Sequence, residues 1–388
     1  MAIGDLIAAA AVAMHNRQRR GESRSLLGSL DPDANIFMVG SKHTETDERL
    51  RERLLTGRIE QLRDDGGFGG VVLCSTESFF RRLYDLYGGD EAFLFFGENA
   101  SYDYLAGVPQ TSFEEGLREL LDGTERGTVH NVEGVLDVFV RHLGVGSYEE
   151  LSECAEVLRE SVSVGDFLYR LEQRGITPPR GFEMLVNNRW ENDVPAFLTF
   201  FDRFEADIRR AQTNTAPYWS LARAVAEHRI AVVCISPSDR YLRAAILTEL
   251  LWLDRNGYPY DLVSYRAELS GRLGEALLDS MTDQQRLCLI SSTVAECGLE
   301  LDRLARMTPV IVCIGAVGSD AEALSRFYNS TYRETSVNVH MHRGIGVGFG
   351  QAMMPTVEPA LLTPQRIYRG GAVILESSGY RVCSYLLV

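Results

Sequence analysis

Lysine is almost missing from this chain: Lys42 is the only one in 388 residues, and every other basic residue is arginine. The bias is compositional and assigns no function by itself. It leaves a single side-chain ammonium group in the whole sequence, and that group falls in a loop after an apolar run. Positive charge is short as well. With 54 acids against 39 lysines and arginines the net charge is -15, so the average surface repels nucleic acid and anionic lipid, and contact with DNA would need a local basic patch. The cysteines (Cys74, Cys154, Cys234, Cys288, Cys297, Cys313, Cys383) form no C-x-x-C, which removes the common zinc and thioredoxin-type spacings. Four of them sit in apolar, strand-like runs and read as buried thiols of a reducing cytoplasm. No apolar run reaches the ~18 residues that would cross a bilayer. The stretch 6–14 is rich in alanine but short, and Arg17, Arg19, Arg20 and Arg24 follow it rather than precede it, the reverse of a secretory signal. It is expected to form an N-terminal helical arm over residues 1–30.

What is present is a folded core. Hydrophobic residues make up 45% and charged residues 24%, which fits a globular chain with little disorder, and the length fits two or three domains or one large α/β domain with an insertion. Residues 35–39 form an apolar strand. Residues 46–62 show Leu50, Leu54, Leu55, Ile59 and Leu62 at helical spacing, which predicts a crossover helix with its charge on the other face. A short apolar strand at 71–74, a helix at 76–87 and a third strand at 92–96 complete a β-α-β-α-β unit, and such a unit demands a parallel sheet with right-handed crossovers. From 111 to 228 only helical periodicity is visible, over 112–122, 130–143, 148–160, 164–173, 192–212 and 217–228. Alternation then returns, with strands at 230–235, 260–264, 287–291 and 310–315, intervening helices, and a closing hairpin of 372–376 and 381–387. The expected fold is α/β, a mainly parallel sheet flanked by helices. Its expected parts are the arm 1–30, a first core segment 31–110, an all-helical insertion domain 111–228 and a second core segment 229–388.

The centre of this layout is the loop after the first strand. A phosphate-binding loop reads G-x-x-x-x-G-K-[ST]: backbone amides and a helix N-terminus cradle the phosphates, the lysine reaches the β/γ oxygens and the hydroxyl holds Mg²⁺. With Gly40 on the first glycine, Ser41, Lys42, His43 and Thr44 fill the variable positions. Glu45 then replaces the second glycine, Thr46 the lysine and Asp47 the hydroxyl residue. Two carboxylates stand where cationic or neutral groups should stand, and they repel a triphosphate. Thr44 or Thr46 also serves as an ordinary helix cap, with Asp47 and Glu48 complementing the macrodipole. A displaced phosphate lysine at Lys42 is the rival reading.

The order of strand, loop, helix, strand, helical block and further strands resembles the RecA-like motor domain of the conjugative (type IV secretion) coupling ATPases, relatives of the FtsK and HerA translocases. Residues 101–107, Ser-Tyr-Asp-Tyr-Leu-Ala-Gly, resemble the family's segment after the third strand. Residues 316–332, with Phe327 and Tyr328, resemble its helix after the last core strand. Pro359, Leu361, Pro364 and then Gly370, Gly371, Ala372, Val373 and Ile374 resemble its closing segment. The likeness covers about two thirds of the chain, and its weight lies in the order of the pieces. It implies a RecA-like P-loop fold and, in an active member, a later strand ending in Asp-Glu that holds Mg²⁺ and polarises the attacking water. Here Ser264 and Tyr265 occupy that place, and the next strand ends Ser291, Ser292, Thr293.

The resemblance therefore implies a pseudo-ATPase: no catalytic residue, no resident metal and no cofactor, with ATP and Mg²⁺ entering only under the rival reading of an active translocase using Lys42. A third reading is a stand-alone scaffold. The implied partners are other motor or secretion-complex subunits or further copies of the chain, in the cytoplasm or at the periphery of a membrane complex. DNA contact is left open. Remaining features read as structural: Asp261, Glu268 and Glu296 as strand-end or helix acids, His340 and His342 as surface or interface histidines, the alternating glycines of 344–350 as a close-packed strand or a flexible loop, and Arg303 and Arg306 as a helix face or an interface between subunits.

Overall fold

The structure, a computed structural model, describes residues 34–40, 45–65, 69–124, 129–269, 271–282, 284–331, 335–341, 345–351, 357, 359–363, 371–376 and 379–384. The elements in chain order begin β1 (Ile36–Val39), α1 (Glu45–Asp65), β2 (Gly69–Cys74), α2 (Glu77–Tyr87), β3 (Phe93–Phe95) and β4 (Ser101–Tyr102). The helical stretch follows: α3 (Gln110–Thr124), α4 (Val129–Val138), α5 (Tyr148–Glu160), α6 (Val164–Gln173), α7 (Phe182–Asn187) and α8 (Asp193–Ile208). Then come β5 (Tyr218–Trp219), α9 (Leu221–Ala226), β6 (Ile230–Cys234), α10 (Arg240–Arg255), β7 (Tyr260–Tyr265), α11 (Gly271–Ser280), β8 (Arg286–Ser291), α12 (Leu301–Met307), β9 (Val310–Cys313) and α13 (Gly318–Thr331). β10 (Thr335–Met341), β11 (Ile345–Gln351), α14 (Pro359–Leu362), β12 (Gly371–Glu376) and β13 (Gly379–Ser384) complete the series.

The chain divides into two compact units, Met1–Gln61 with Arg286–Val388, and Leu62–Gln285. In the first, β1 is the central strand. Its four residues are all buried, as an apolar run covered on both faces requires. It runs parallel to β8, from Ile36 opposite Cys288 to Val39 opposite Ser291, and parallel to β9, from Ile36 opposite Val310 to Val39 opposite Cys313. The Asn35 side chain accepts the Leu287 amide at 2.7 Å and fixes that register from outside the strand. β12 lies antiparallel to β9 and β13 antiparallel to β12, so the expected closing hairpin forms the edge of this unit. β10 and β11 make a separate antiparallel ribbon in which Gly346, Gly348 and Gly350 face His340, Asn338 and Ser336. Of the alternating glycines of 344–350, Gly346, Gly348 and Gly350 thus belong to a strand, and Gly344 lies outside the described residues.

In the second unit β2 is central, parallel to β7 on one side and to β6 on the other, with β3 parallel to β6. Of the predicted β-α-β-α-β unit, β2, α2 and β3 lie here, with β2 and β3 each parallel to β6, whereas β1 belongs to the first unit. α2 buries Phe79, Phe80, Leu83 and Tyr87, one helical face. The helical stretch begins where its sequence signals say it should: Ser147 and Ser163 accept the amides of Glu150 and Asp166, while those acids take the amides of Gly146 and Val162, so α5 and α6 start on reciprocal caps.

Several expectations change. Residues 217–228 are not one helix: Tyr218 and Trp219 pair in parallel with Ser101 and Tyr102, and only Leu221–Ala226 is helical. Two residues are too few for strand alternation to register in a sequence. α7 was not anticipated, and the helix expected over 130–143 widens into a π-turn at Phe139–Leu143, closed by Gly144 at φ 76°. On α1 the charge is not confined to the outer face, since Arg51 and Arg58 are buried. The helical arm expected at 1–30 lies outside the described residues.

Candidate functional site

In the first unit, β1 delivers the chain to Gly40. Its amide donates to the Ser291 carbonyl at 3.2 Å, and its own carbonyl accepts the guanidinium of Arg51, which reaches back from the second turn of α1. Arg51 has no exposed surface. A Cβ on Gly40 would collide with the Ile314 side chain and stand 2.9 Å from the Ile314 carbonyl. The glycine is therefore required by the chain leaving β9, and close approach of a phosphate is not needed to account for it. Ser41, Lys42, His43 and Thr44 lie outside the described residues. Glu45, Thr46 and Asp47 form the first turn of α1, which starts one residue before the predicted boundary.

The tip of β8 is closed by its own groups. Ser291 donates its hydroxyl to the Thr293 carbonyl, Ser292 donates its amide to Glu296 at 2.6 Å, and Glu296 donates its amide to the Thr293 hydroxyl at 3.1 Å. Asp320, at the start of α13, accepts the Val294 amide at 3.0 Å, and burial raises its carboxyl above the ordinary range. Beneath this turn, burial pushes the Cys297 thiol up to about 12, which leaves it protonated and a poor metal ligand.

In the second unit, β7 ends in Ser264 and Tyr265, both buried. The Ser264 hydroxyl donates to the Ala267 carbonyl at 3.1 Å across a turn in which Arg266 adopts φ 57°. The Tyr265 ring lies 4.4 Å from that of Phe79, and its carbonyl accepts the Ser75 amide at 3.1 Å. A hydroxyl already bonded to backbone and a buried phenol cannot hold a hard divalent cation as a pair of carboxylates does. Of the acids read as strand-end or helix residues, Asp261 is buried within β7, Glu268 pairs with Arg243, and Glu296 accepts the Ser292 amide in the β8 turn described above. Among the described residues no three His, Cys, Asp or Glu side chains are grouped to hold a metal. Arg306 is exposed on α12 and donates to the Asp302 carbonyl at 3.1 Å. His340 sits in β10 opposite Gly346, and His342 lies outside the described residues.

Sequence reasoning missed a fully buried carboxyl of the second unit that binds three donors. Glu249, on α10, accepts the Tyr102 hydroxyl at 2.7 Å, the Leu105 amide at 2.9 Å and the Ala222 amide at 2.9 Å. The signal was present: Glu249 is the one charged residue between Ala244 and Leu253, in a helix with 12 of 16 residues buried. An acid in an all-round apolar helix must find donors. A second node lies at the start of α10, where Asp207 accepts the Tyr241 amide at 2.9 Å and Asp239 accepts the Ser236 amide at 2.9 Å and pairs with Arg210. The helix N-terminus is thus met by the protein's own carboxylates.

No family model and no curated protein sequence matches this chain. Solved structures do. The bacterial conjugative coupling protein TrwB in its unbound monoclinic form matches at a TM-score of 0.54 and 12% identity, over 96% of this chain and 90% of that one. TrwB with the non-hydrolysable GTP analogue GDPNP matches at 0.52 and 10% identity, over 96% and 91%, and TrwB with ADP and Mg²⁺ at 0.53 and 10%, over the same shares. The chain accordingly shares the RecA-like P-loop α/β fold of these TrwB structures, as the order of elements in the sequence predicts. Among the described residues no helix is long and apolar enough to cross a membrane.

Proposed function

We propose that this chain is a catalytically degenerate P-loop subunit related to the conjugative coupling proteins, acting as a structural, regulatory or substrate-recruiting component rather than as an ATPase. The tip of β7 carries the reading: Ser264 is bonded to the Ala267 carbonyl and the Tyr265 ring packs against that of Phe79, where an active member needs two free carboxylates. The substitutions at Glu45, Thr46 and Asp47 support it independently. TrwB has been solved with ADP and Mg²⁺, so a nucleotide is compatible with the fold, and its loss here would be a property of the side chains. A subunit without a working site can still hold a position beside active motor subunits, and the helical stretch α3–α8 is the surface we assign to recruiting them, in the cytoplasm or beside a membrane complex.

Isothermal titration of the full chain with Mg-ATP and Mg-ADP tests this. No heat of binding at millimolar nucleotide is the expected outcome. Micromolar binding abolished by Lys42→Ala would overturn the degenerate reading in favour of a variant loop using the single lysine. A chain that neither binds nucleotide nor associates with a motor subunit would leave the scaffold reading in its place.

A further inference from the structure

The environment of Glu249 carries an inference independent of the nucleotide reading. The residue has no exposed surface. Its three donors come from two segments that also hold each other: Ser220, the N-cap of α9, donates to the Ala106 carbonyl at 2.7 Å and accepts the Arg223 amide at 3.1 Å. Leu105 is kept at φ 54°, a left-handed conformation unfavourable for a residue with a branched side chain, so the path of residues 101–106 depends on these partners. The titratable groups facing Glu249 are Tyr102, Asp103 and Tyr104, the last bonded to the Thr248 hydroxyl at 3.0 Å and reached by Glu119 of α3. From α9, Arg223 turns to Glu227 and lies over the Trp219 ring instead. The carboxylate therefore rests on neutral donors alone. Two of them are fixed amides, but the Tyr102 hydroxyl can reverse and accept. A protonated Glu249 can then keep all three contacts, donating to Tyr102 and accepting from Leu105 and Ala222, without burying a charge. Burial raises this carboxyl to about 7 against the opposing pull of its donors.

We propose that Glu249 is a proton-operated latch: protonated, it holds residues 101–106 and the start of α9 against α10, and ionised, it favours an open arrangement in which the carboxylate reaches water. Because the closed-state pKa lies above that of an open, hydrated carboxyl, stability of the closed form is full below the ordinary glutamate range and is lost as pH rises towards 7. Amide hydrogen exchange on the full chain tests the latch. After correction for intrinsic base catalysis, the opening constants of the Leu105 and Ala222 amides should rise on the order of a hundredfold between pH 5 and pH 7 and level off above, while the Val72 amide in β2 stays flat. Glu249→Gln should abolish the rise, and Asp103→Asn, which removes the neighbouring carboxyl, should retain it. A flat wild-type profile, or a rise that survives Glu249→Gln, would overturn the proposal. If the Gln variant does not fold, the Asp103→Asn protein decides: loss of the rise there assigns the titration to Asp103 and overturns the latch.

Discussion

Among the described residues each unit has one charged side chain with no exposed surface, and the two are used in opposite ways. Arg51 donates to the Gly40 carbonyl and holds the exit of β1, whereas Glu249 accepts from three donors and holds two segments on α10. A guanidinium does not lose its proton in a protein, so the first clamp is the same at every pH. A carboxyl titrates, so the second is adjustable. The same degree of enclosure gives a permanent fixture in one unit and a conditional one in the other.

Removing the permanent clamp should have the largest effect. Arg51→Ala leaves both a cavity and an unmet carbonyl and is expected to destabilise the first unit by about 3 kcal/mol or more, read by denaturant unfolding. Gly40→Ala attacks the same place by overpacking against Ile314 and should cost about 2 kcal/mol. An unchanged midpoint would mean that Ile314 yields and that the tight fit is not what selects glycine. The adjustable clamp should respond less, and in a way that depends on pH. Glu249→Gln should destabilise by about 2 kcal/mol at pH 5 and by less at pH 8, because wild type loses stability between those values and the amide does not. Arg159→Ala sharpens the contrast from outside the core: Arg159 and its nearer partner Asp202 are about half exposed, so the expected loss is under about 1 kcal/mol and shrinks in high salt.

Much of the fold was legible because its central strands are continuous apolar runs. Residues 71–74, 230–235, 260–264, 287–291 and 310–315 all coincide with strands to within a few residues. Burial on both faces leaves no alternative composition for them. The site was legible only as a departure from a pattern: Glu45, Thr46, Asp47, Ser264 and Tyr265 can be read by their identity, but the partners of Ser264 and Tyr265 cannot. Arg51 and Arg58 were assigned to a solvated face because periodicity weighs arginine as polar, and it has no means of seeing that a guanidinium can be folded inward onto a carbonyl. Glu249 was overlooked for a related reason, since its three donors lie 147, 144 and 27 residues away in sequence.

The position of β1 has a consequence for biosynthesis. Its two neighbours, β8 and β9, are encoded some 250 residues later, whereas everything in the second unit is contiguous. On a translating ribosome, Leu62–Gln285 can complete its core while Ile36, Phe37, Met38 and Val39 still lack their neighbours, for a time on the order of tens of seconds. The hydrophobic centre of the first unit thus emerges early and is covered late, and during that interval the nascent chain would be most dependent on chaperones.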